Sequence, residues 1–275
     1  MRFIYHYKTM KNIKILATIE ARMNSSRLPG KVMKKLGNYT LLEVLIKRLK
    51  NSKFIDDIAV ATTANKEDDK IVNFLKKNQI KFFRGQENNV NLRLIKTAEK
   101  FDADLIVQLT ADNPLVDPKI IDYMIKFYLQ NSNKYNFITN GGLGNYSNSS
   151  VPLGLNAQIF SFKHLKANYK YCNKRDLKEH PSLYFYREGK KKYKLKNISL
   201  PKQYRTNLKI RLTVDTIKDL KLVRYVFKSL GNNNNTNFGL KEIISFFKKN
   251  KSYLEINKKI IQKKVNLNLY NIIIK

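Results

Sequence analysis

The chain has 275 residues, of which 43% are hydrophobic, and its 54 Lys and Arg against 21 Asp and Glu give a formal net charge of +33. The hydrophobic share excludes general disorder, and the length is enough for one large or two small domains. No apolar run approaches the roughly 20 residues that cross a bilayer. The Lys and Arg residues are spread along the chain, so we expect neither a nucleic acid nor a membrane as partner.

The first and last residues differ in character from the rest. Residues 1–10 are too short and too polar for a signal peptide. We expect either a disordered extension there or a wrongly assigned start of translation. We expect one domain over residues 11–264, followed by a tail at 265–275. The single cysteine, Cys172, excludes an intramolecular disulfide and a cysteine-based metal site. This cysteine usage favours a cytoplasmic location.

The first half of the sequence alternates strand-like and helix-like segments. Apolar runs predict buried strands, and apolar residues spaced three or four apart predict helices. Pro118 stands at the start of a helix, where its missing N–H costs nothing. This alternation predicts an α/β fold with a mostly parallel sheet and helices on both faces. The predicted elements are strand 13–19, helix 41–49, strand 57–63, helix 68–75, strand 80–83, helix 90–100, strand 104–110 and helix 119–129.

The pattern changes near residue 140. Residues 140–150 are rich in Gly, Asn and Ser and predict a loop. Strands and helices alternate less regularly afterwards, so we expect an α+β excursion over about 140–205. The predicted elements are strand 154–160, helix 176–186, strands 193–198 and 209–214, a polar hinge at 232–237, and helices 240–249 and 253–262.

The loop at residues 21–31 follows the first predicted strand and carries Arg22, Arg27 and Lys31. It is not a P-loop, because the Gly expected five residues before Gly30 is Ser25, and the residue after Lys31 is not Ser or Thr. Ligands of open parallel sheets bind beyond the carboxyl ends of the strands. Since Arg suits bidentate phosphate contacts and Lys a point charge, we predict that the loop binds a polyphosphate.

Two carboxylates follow other predicted strands. Asp112 comes after strand 104–110, and Asp215 after strand 209–214. Mg²⁺ is commonly held by one or two carboxylates together with phosphate oxygens. Two aspartates that converge on one triphosphate would fit this pattern. The alternative is that both are turn or helix N-cap residues.

The run from Ala21 to Lys31 resembles the signature loop of the nucleotide-sugar cytidylyltransferases. The branch is that of the spore-coat polysaccharide biosynthesis proteins, which are related to acylneuraminate and 3-deoxy-manno-octulosonate cytidylyltransferases. Further segments are similar in the same order, and the likeness extends from about residue 11 to residue 264. They are Ala61-Thr62-Thr63 with Asp68-Asp69, Phe83-Arg84-Gly85, the segment 110–118, Glu179-His180-Pro181 and the segment 211–220.

The resemblance implies a Rossmann-like GT-A-type nucleotidyltransferase fold. It implies transfer of CMP from CTP to a sugar acid or sugar phosphate for surface glycans, with release of pyrophosphate, and a homodimer. The residues implied are Arg27 and Lys31 for catalysis; Ala17, Ile19, Arg22, Ser25, Ser26, Arg84 and Asp112 for the nucleotide; Asn156, Gln158 and His180 for the acceptor; and Asp112 and Asp215 for Mg²⁺.

The sequence departs from the family pattern at several positions. Leu153, Asn156 and Gln158 stand where an Arg, an Asp and a Glu are usual, and Glu20 stands where Gln is usual. The neutral segment favours a changed acceptor or altered activity. Two alternatives therefore stay open. One is a nucleotide-sugar-dependent glycosyltransferase of GT-A fold, for which Asp102-Ala103-Asp104 offers an Asp-x-Asp pair; the other is a catalytically altered nucleotide- or RNA-binding protein.

Overall fold

The computed structural model describes residues 12–143 and 148–262. The expected extension at 1–10 and tail at 265–275 lie outside these residues. The strands are β1 (Ile15–Glu20), β2 (Lys35–Leu36), β3 (Tyr39–Thr40), β4 (Asp57–Thr63), β5 (Lys81–Gly85), β6 (Leu105–Thr110), β7 (Phe137–Thr139), β8 (Gln158–Ser161) and β9 (Leu195–Asn197). The α-helices are α1 (Leu41–Leu49), α2 (Asp69–Lys77), α3 (Val90–Lys100), α4 (Pro118–Gln130), α5 (Phe162–Tyr169), α6 (Arg175–Glu179), α7 (Leu183–Tyr186), α8 (Ile217–Gly231) and α9 (Leu240–Lys249).

Seven of these strands form one sheet in the order β5-β4-β1-β6-β8-β7-β9. The strands β5, β4, β1 and β6 are parallel neighbours. Strand β8 runs antiparallel to both β6 and β7, while β9 is parallel to β7. Only β8 therefore runs against the common direction within this sheet. The prediction of a mostly parallel sheet is confirmed.

The sheet separates two hydrophobic cores because successive side chains of a strand point to opposite faces. In β1, Ile15, Ala17 and Ile19 belong to the larger core, which also takes in α1, α4, α8 and α9. Leu16 belongs to the smaller core, which is covered by α3, α5, α6 and α7. Helices therefore lie on both faces of the sheet, as predicted.

Local signals explain why the first half was predictable. Helix α1 begins at a capping box in which Thr40 Oγ1 accepts the Glu43 N–H at 3.1 Å. Helix α4 begins at Asp117, which accepts the Lys119 N–H at 2.9 Å, with Pro118 in the first turn. The bounds of α1, β4 and α3 match the prediction to the residue, and the other ends shift by one or two residues.

Several predicted elements in the second half were wrong. Residues 176–186 do not form one helix, because Pro181 lacks an N–H and displaces His180 from helical geometry, which separates α6 from α7. Residues 209–214 do not form a strand; they join Leu153 by an isolated bridge at Arg211. The strand predicted at 154–160 is reduced to β8, since Gly154 adopts a left-handed turn with φ of 100°.

The C-terminal part also differs from the prediction. Residues 251–256 form a 3₁₀ helix in place of the α-helix predicted over 253–262. Helix α8 was missed, although it is the longest described helix and buries Leu220, Val223 and Phe227. The shorter elements β7 and α5 were missed as well.

Arg48 of α1 connects distant parts of the larger core. Its guanidinium is fully buried and donates to four backbone carbonyls. The acceptors are Leu115 at 3.3 Å, Val116 at 2.9 Å, Thr236 at 2.5 Å and Phe238 at 2.8 Å. Burial lowers the pKa of Arg48 to about 10, so the group stays charged at neutral pH. The four carbonyls satisfy a cation that the apolar core could not otherwise hold.

Candidate active site

The loop after β1 has a defined backbone conformation. Gly30 is left-handed, with φ of 67°, and its N–H donates to the Met23 carbonyl at 2.8 Å. The Met23 N–H in turn donates to Asp68 Oδ1 at 2.6 Å. Asp68 is buried and also accepts the Thr63 N–H at 3.1 Å, which ties the loop to the end of β4. These hydrogen bonds fix the conformation of the loop at the edge of the sheet.

The Lys31 ammonium lies between two carboxylates. Its Nζ donates to Asp112 Oδ2 at 2.6 Å and to Asp215 Oδ1 at 2.9 Å. The Lys31 side chain is 12% exposed and that of Asp215 is 9% exposed. Burial alone would lower the pKa of Lys31, but the two carboxylates outweigh it and raise the pKa above its usual range. Lys31 is therefore a charged group at neutral pH.

Asp215 is held by three cations. Asp215 pairs with Lys31, and its Oδ2 forms an ion pair with the Arg27 guanidinium at 2.9 Å and accepts a hydrogen bond from Arg211 at 2.8 Å. Burial alone would raise the pKa of Asp215, but Lys31, Arg27 and Arg211 together hold the pKa below its usual range. Arg211 is itself fixed by Asp219 at 2.9 Å, in the capping box of α8. The Val214 N–H donates to the Asp112 carbonyl at 2.8 Å, which keeps the two aspartate segments adjacent.

These groups form part of one cleft of about 330 Å³ at the carboxyl edge of the sheet. Residues from the loop after β1, from α3, from the turn after β6 and from α6 surround it. The lining consists of Glu20, Ala21, Arg22, Asn24, Ser25, Ser26, Arg27, Lys31, Val32, Val90, Arg93, Thr110, Ala111, Asp112, Glu179, His180 and Asp215.

The excursion reaches the cleft through the end of α6. Arg22 lies 3.8 Å from Glu87 and 3.9 Å from Glu179, so it connects the loop after β1 to α6. His180 lies beside Glu179 in the lining. Burial lowers the pKa of His180 below its ordinary value, although the charges of Glu179 and Asp176 partly oppose this. The His180 imidazole is therefore mostly neutral at pH 7 and can donate or accept a hydrogen bond.

Glu20 brings a further carboxyl group to the cleft. Its Oε1 accepts a 2.6 Å hydrogen bond from Gln108 Nε2. Burial raises the pKa of Glu20 to about 7, while the hydrogen bond from Gln108 and the charge of Arg93 oppose the rise.

The structure brings most of the predicted residues together and leaves others outside the lining. Arg22, Ser25, Ser26, Arg27, Lys31, Asp112, His180 and Asp215 line the cleft, whereas Ala17, Ile19, Arg84, Asn156 and Gln158 do not. Ala17 and Ile19 are buried within β1. The Arg84 guanidinium donates to the carbonyls of Thr63 and Asn65, each at 2.9 Å, and pairs with Asp69 at 2.7 Å.

Two residues predicted for the acceptor lie behind the cleft. Asn156 Oδ1 accepts the Gly154 N–H at 3.1 Å. Gln158 begins β8 and pairs in register with Gln108 of β6. Gln158 therefore lies beside Gln108, which donates to Glu20.

The sequence prediction did not assign a role to Glu20, Arg93 or Arg211. Glu20 is the last residue of a buried strand, which is a place where ligands bind. Arg93 is a cation on the apolar face of α3, where Leu94 and Ala98 are fully buried. An arginine on the apolar face of a predicted helix, without an acidic residue nearby in the sequence, is a pattern from which Arg93 could have been predicted.

The Asp-x-Asp pair lies at the opposite edge of the sheet. Asp104 accepts the Lys14 N–H at 2.8 Å just before β1 and β6 begin. The parallel strands run away from this edge towards the cleft. Asp102 and Asp104 therefore cannot share a metal with Asp112.

Comparison with known proteins agrees with this geometry. A family model described as cytidylyltransferase matches residues 16–260. The chain belongs to the cytidylyltransferase family. It is 36% identical over 251 residues to an uncharacterised protein of Methanocaldococcus jannaschii, covering 91% of this chain and 97% of that protein. It is 32% identical over 221 residues to the spore coat polysaccharide biosynthesis protein SpsF of Bacillus subtilis, covering 79% and 88% of the two chains.

A solved structure shows the same family likeness. The cytidylyltransferase from Leptospira borgpetersenii matches with a TM-score of 0.79 and 33% identity, over 91% of this chain and all of that one. The chain is thus a CTP-dependent nucleotidyltransferase of Rossmann-like fold. The family match supports the predicted cytidylyltransferase over the glycosyltransferase alternative. Among the described helices of this cytidylyltransferase, none is long and apolar enough to cross a bilayer.

The raised pKa of Glu20 predicts a pH-dependent effect of Glu20→Gln. Between pH 4.5 and about 7 the folded protein retains a proton on Glu20 that the unfolded chain releases, so the stability that this group contributes falls as pH rises. Glutamine avoids this loss. We expect Glu20→Gln to raise the free energy of unfolding by on the order of 2 kcal/mol at pH 8 and to have little effect at pH 4.5, measured by denaturant titration.

Glu67→Gln is the matched control, since Glu67 is exposed and does not line the cleft. It should change stability by less than about 0.5 kcal/mol at each pH. An equal stability of wild type and Glu20→Gln from pH 4.5 to 8 would contradict the prediction.

Proposed function

We propose that this cytidylyltransferase transfers CMP from CTP to a sugar acid or sugar phosphate, with release of pyrophosphate, in the synthesis of surface glycans. The observation that carries the proposal is the convergence of Arg27 and Lys31 on the carboxylates of Asp112 and Asp215 within one cleft. The acceptor class follows the sequence resemblance to sugar-acid cytidylyltransferases. The role in glycans follows the likeness to the spore coat polysaccharide protein SpsF.

The cations of the loop suit the charge that this reaction develops. An acceptor oxygen would form a bond to the α-phosphorus while the bond from that phosphorus to its leaving oxygen breaks. Pyrophosphate would leave with the electron pair, and the proton of an attacking hydroxyl would pass to water. Negative charge then grows on the phosphate oxygens, where Arg27 and Lys31 can donate hydrogen bonds in a partly buried site.

Asp112 and Asp215 fit a Mg²⁺ ion. Both carboxylates already point at one cation, the Lys31 ammonium, which therefore marks a place with the charge that Mg²⁺ requires. Among the residues that the structure describes, no group of three or more His, Cys, Asp or Glu side chains could hold a metal. Phosphate oxygens and water would complete the coordination. Mg²⁺ bound there would neutralise charge on the phosphates of CTP.

Pyrophosphate release tests the proposed transfer. The wild-type protein with CTP, Mg²⁺ and a panel of sugar acids and sugar phosphates should release pyrophosphate. Arg27→Ala and Asp112→Ala should each lower the rate by about 10²-fold or more, because Arg27 supplies positive charge to the phosphates and Asp112 would help to hold the Mg²⁺ ion. The control Lys34→Met lies three residues after Lys31, outside the cleft lining, and should keep the wild-type rate. Absence of CTP binding to the wild type by calorimetry would refute the proposal.

The position of Lys31 predicts how metal and nucleotide compete. A metal ion that binds alone must displace the ammonium from both aspartates, whereas a triphosphate offers Lys31 a new partner. We expect Lys31→Met to bind Mn²⁺ at least about fivefold more tightly than the wild type without nucleotide, since the cation that Asp112 and Asp215 share is removed. Isothermal titration measures this, with Lys34→Met again as control. Weaker or unchanged Mn²⁺ binding by Lys31→Met would contradict the assignment of Asp112 and Asp215.

A cytoplasmic homodimer completes the proposal. The exposed ring of Tyr171 stacks on Tyr184 with centroids 5.6 Å apart, which places an aromatic surface on the excursion. Aromatic groups of this kind are enriched at protein interfaces. Sedimentation equilibrium should give twice the chain mass of 32.3 kDa for the wild type. Tyr171→Glu should shift the equilibrium to the monomer, and a monomeric wild type would refute this part.

A further inference from the structure

The direction of the Glu20 side chain is fixed by the sheet. Glu20 pairs in register with Ala61 of β4 and Thr110 of β6. Its carbonyl also accepts the Ala111 N–H at 3.0 Å. Because Glu20 has strands on both sides, its carboxyl group has little freedom to leave the cleft that it lines.

Gln108 holds the carboxyl group in place. Gln108 is buried and donates from Nε2 to Glu20 Oε1 at 2.6 Å. Within the described part of the chain, the oxygen atom of the same amide, Gln108 Oε1, has no hydrogen-bond partner. The same holds for Oε1 of Gln158, which pairs in register with Gln108. A buried amide oxygen without a partner costs free energy. One of these oxygens belongs to Gln108, which donates to Glu20, and the other to Gln158, the register partner of Gln108 in β8.

The Glu20 carboxyl group keeps an oxygen atom for a ligand. Among the described residues, no Lys, Arg or His nitrogen lies within 4.0 Å of it, and Gln108 is the side chain that donates to it. Arg93 and Arg22 attract the carboxylate at longer range, and Asp112 repels it. Unpaired carboxylates in a partly buried cleft are characteristic of binding sites.

The position of Glu20 favours the acceptor as its partner, an argument that rests on the proposed function. Glu20 accepts from Gln108, and Gln108 pairs in register with Gln158, one of the residues that the family resemblance implies for the acceptor. His180, another of these residues, lines the same cleft as Glu20.

We propose that Glu20 determines acceptor specificity by accepting a hydrogen bond from a hydroxyl group of the acceptor. A carboxylate repels phosphate, so the triphosphate is not its partner. For the same reason, the part of the acceptor that faces Glu20 is a hydroxyl-bearing carbon chain, and any acidic group of the acceptor points away from Glu20. Gln108 is then a positioning residue, which acts through Glu20.

A first experiment separates the acceptor from the nucleotide. Calorimetry with CTP and Mg²⁺ should give dissociation constants within about twofold for the wild type, Glu20→Gln and the control Glu67→Gln. A tenfold loss of CTP affinity in Glu20→Gln alone would overturn the proposal, because Glu20 would then contact the nucleotide. Failure of the wild type to bind CTP would count against the proposed function instead.

A second experiment uses ribitol as a neutral probe that carries only hydroxyl groups. Saturation-transfer NMR measures ribitol binding to each protein, with and without CTP and Mg²⁺, so the contact is tested even without nucleotide. We expect ribitol to bind the wild type and Glu67→Gln equally, and Glu20→Gln at least about fivefold more weakly. Equal binding to the wild type and Glu20→Gln, or no binding to either, would overturn the proposal. Thermal unfolding of Glu20→Gln shows that the variant is folded.

Discussion

The ion cluster of Lys31, Asp112 and Asp215 is the interaction on which the arrangement of this cytidylyltransferase depends. Its three residues are separated by 81 and 184 positions in the sequence, yet two contacts of 2.6 Å and 2.9 Å join them. Two carboxylates this close would repel each other without a cation between them. The left-handed turn at Gly30 and the capping box of α8 can both be understood as devices that bring these charges to one point.

Much of the fold could be predicted because its signals are local. In the first half, the strands of the large sheet contain apolar runs and the helices carry apolar stripes, so α1 and β4 were placed to the residue, whereas the two-residue strands β2 and β3 were missed. The second half depends on tertiary contacts instead. Residues 209–214 have the composition of a strand but form an isolated bridge at Arg211. The Arg211 side chain binds Asp215 and Asp219. Helix α8 was missed although Leu220, Val223 and Phe227 follow the helical spacing of its buried face.

Part of the candidate site could also be predicted, because some of its residues directly follow predicted strands. Arg27, Lys31 and Asp112 follow strands directly, so their neighbourhood is a consequence of parallel topology. Glu20 and Arg93 were not assigned, because their role appears only when β1 and α3 meet across the sheet edge. Arg84 shows the opposite case, because it lies in a segment that resembles the family but does not line the cleft. Its guanidinium binds Asp69 and the carbonyls of Thr63 and Asn65 instead.

The carbonyl partners of Arg48 also bear on how the chain folds during its synthesis. Arg48 leaves the ribosome early, whereas Thr236 and Phe238 follow it by 188 and 190 residues. Until they are made, the guanidinium lacks half of its four acceptors and remains costly to bury. The larger core therefore cannot close fully around α1 in a partial chain. In a nascent chain, the region around Arg48 would stay in contact with water until residues 236–238 are synthesised. Folding of the first half of the chain would then wait for this C-terminal part.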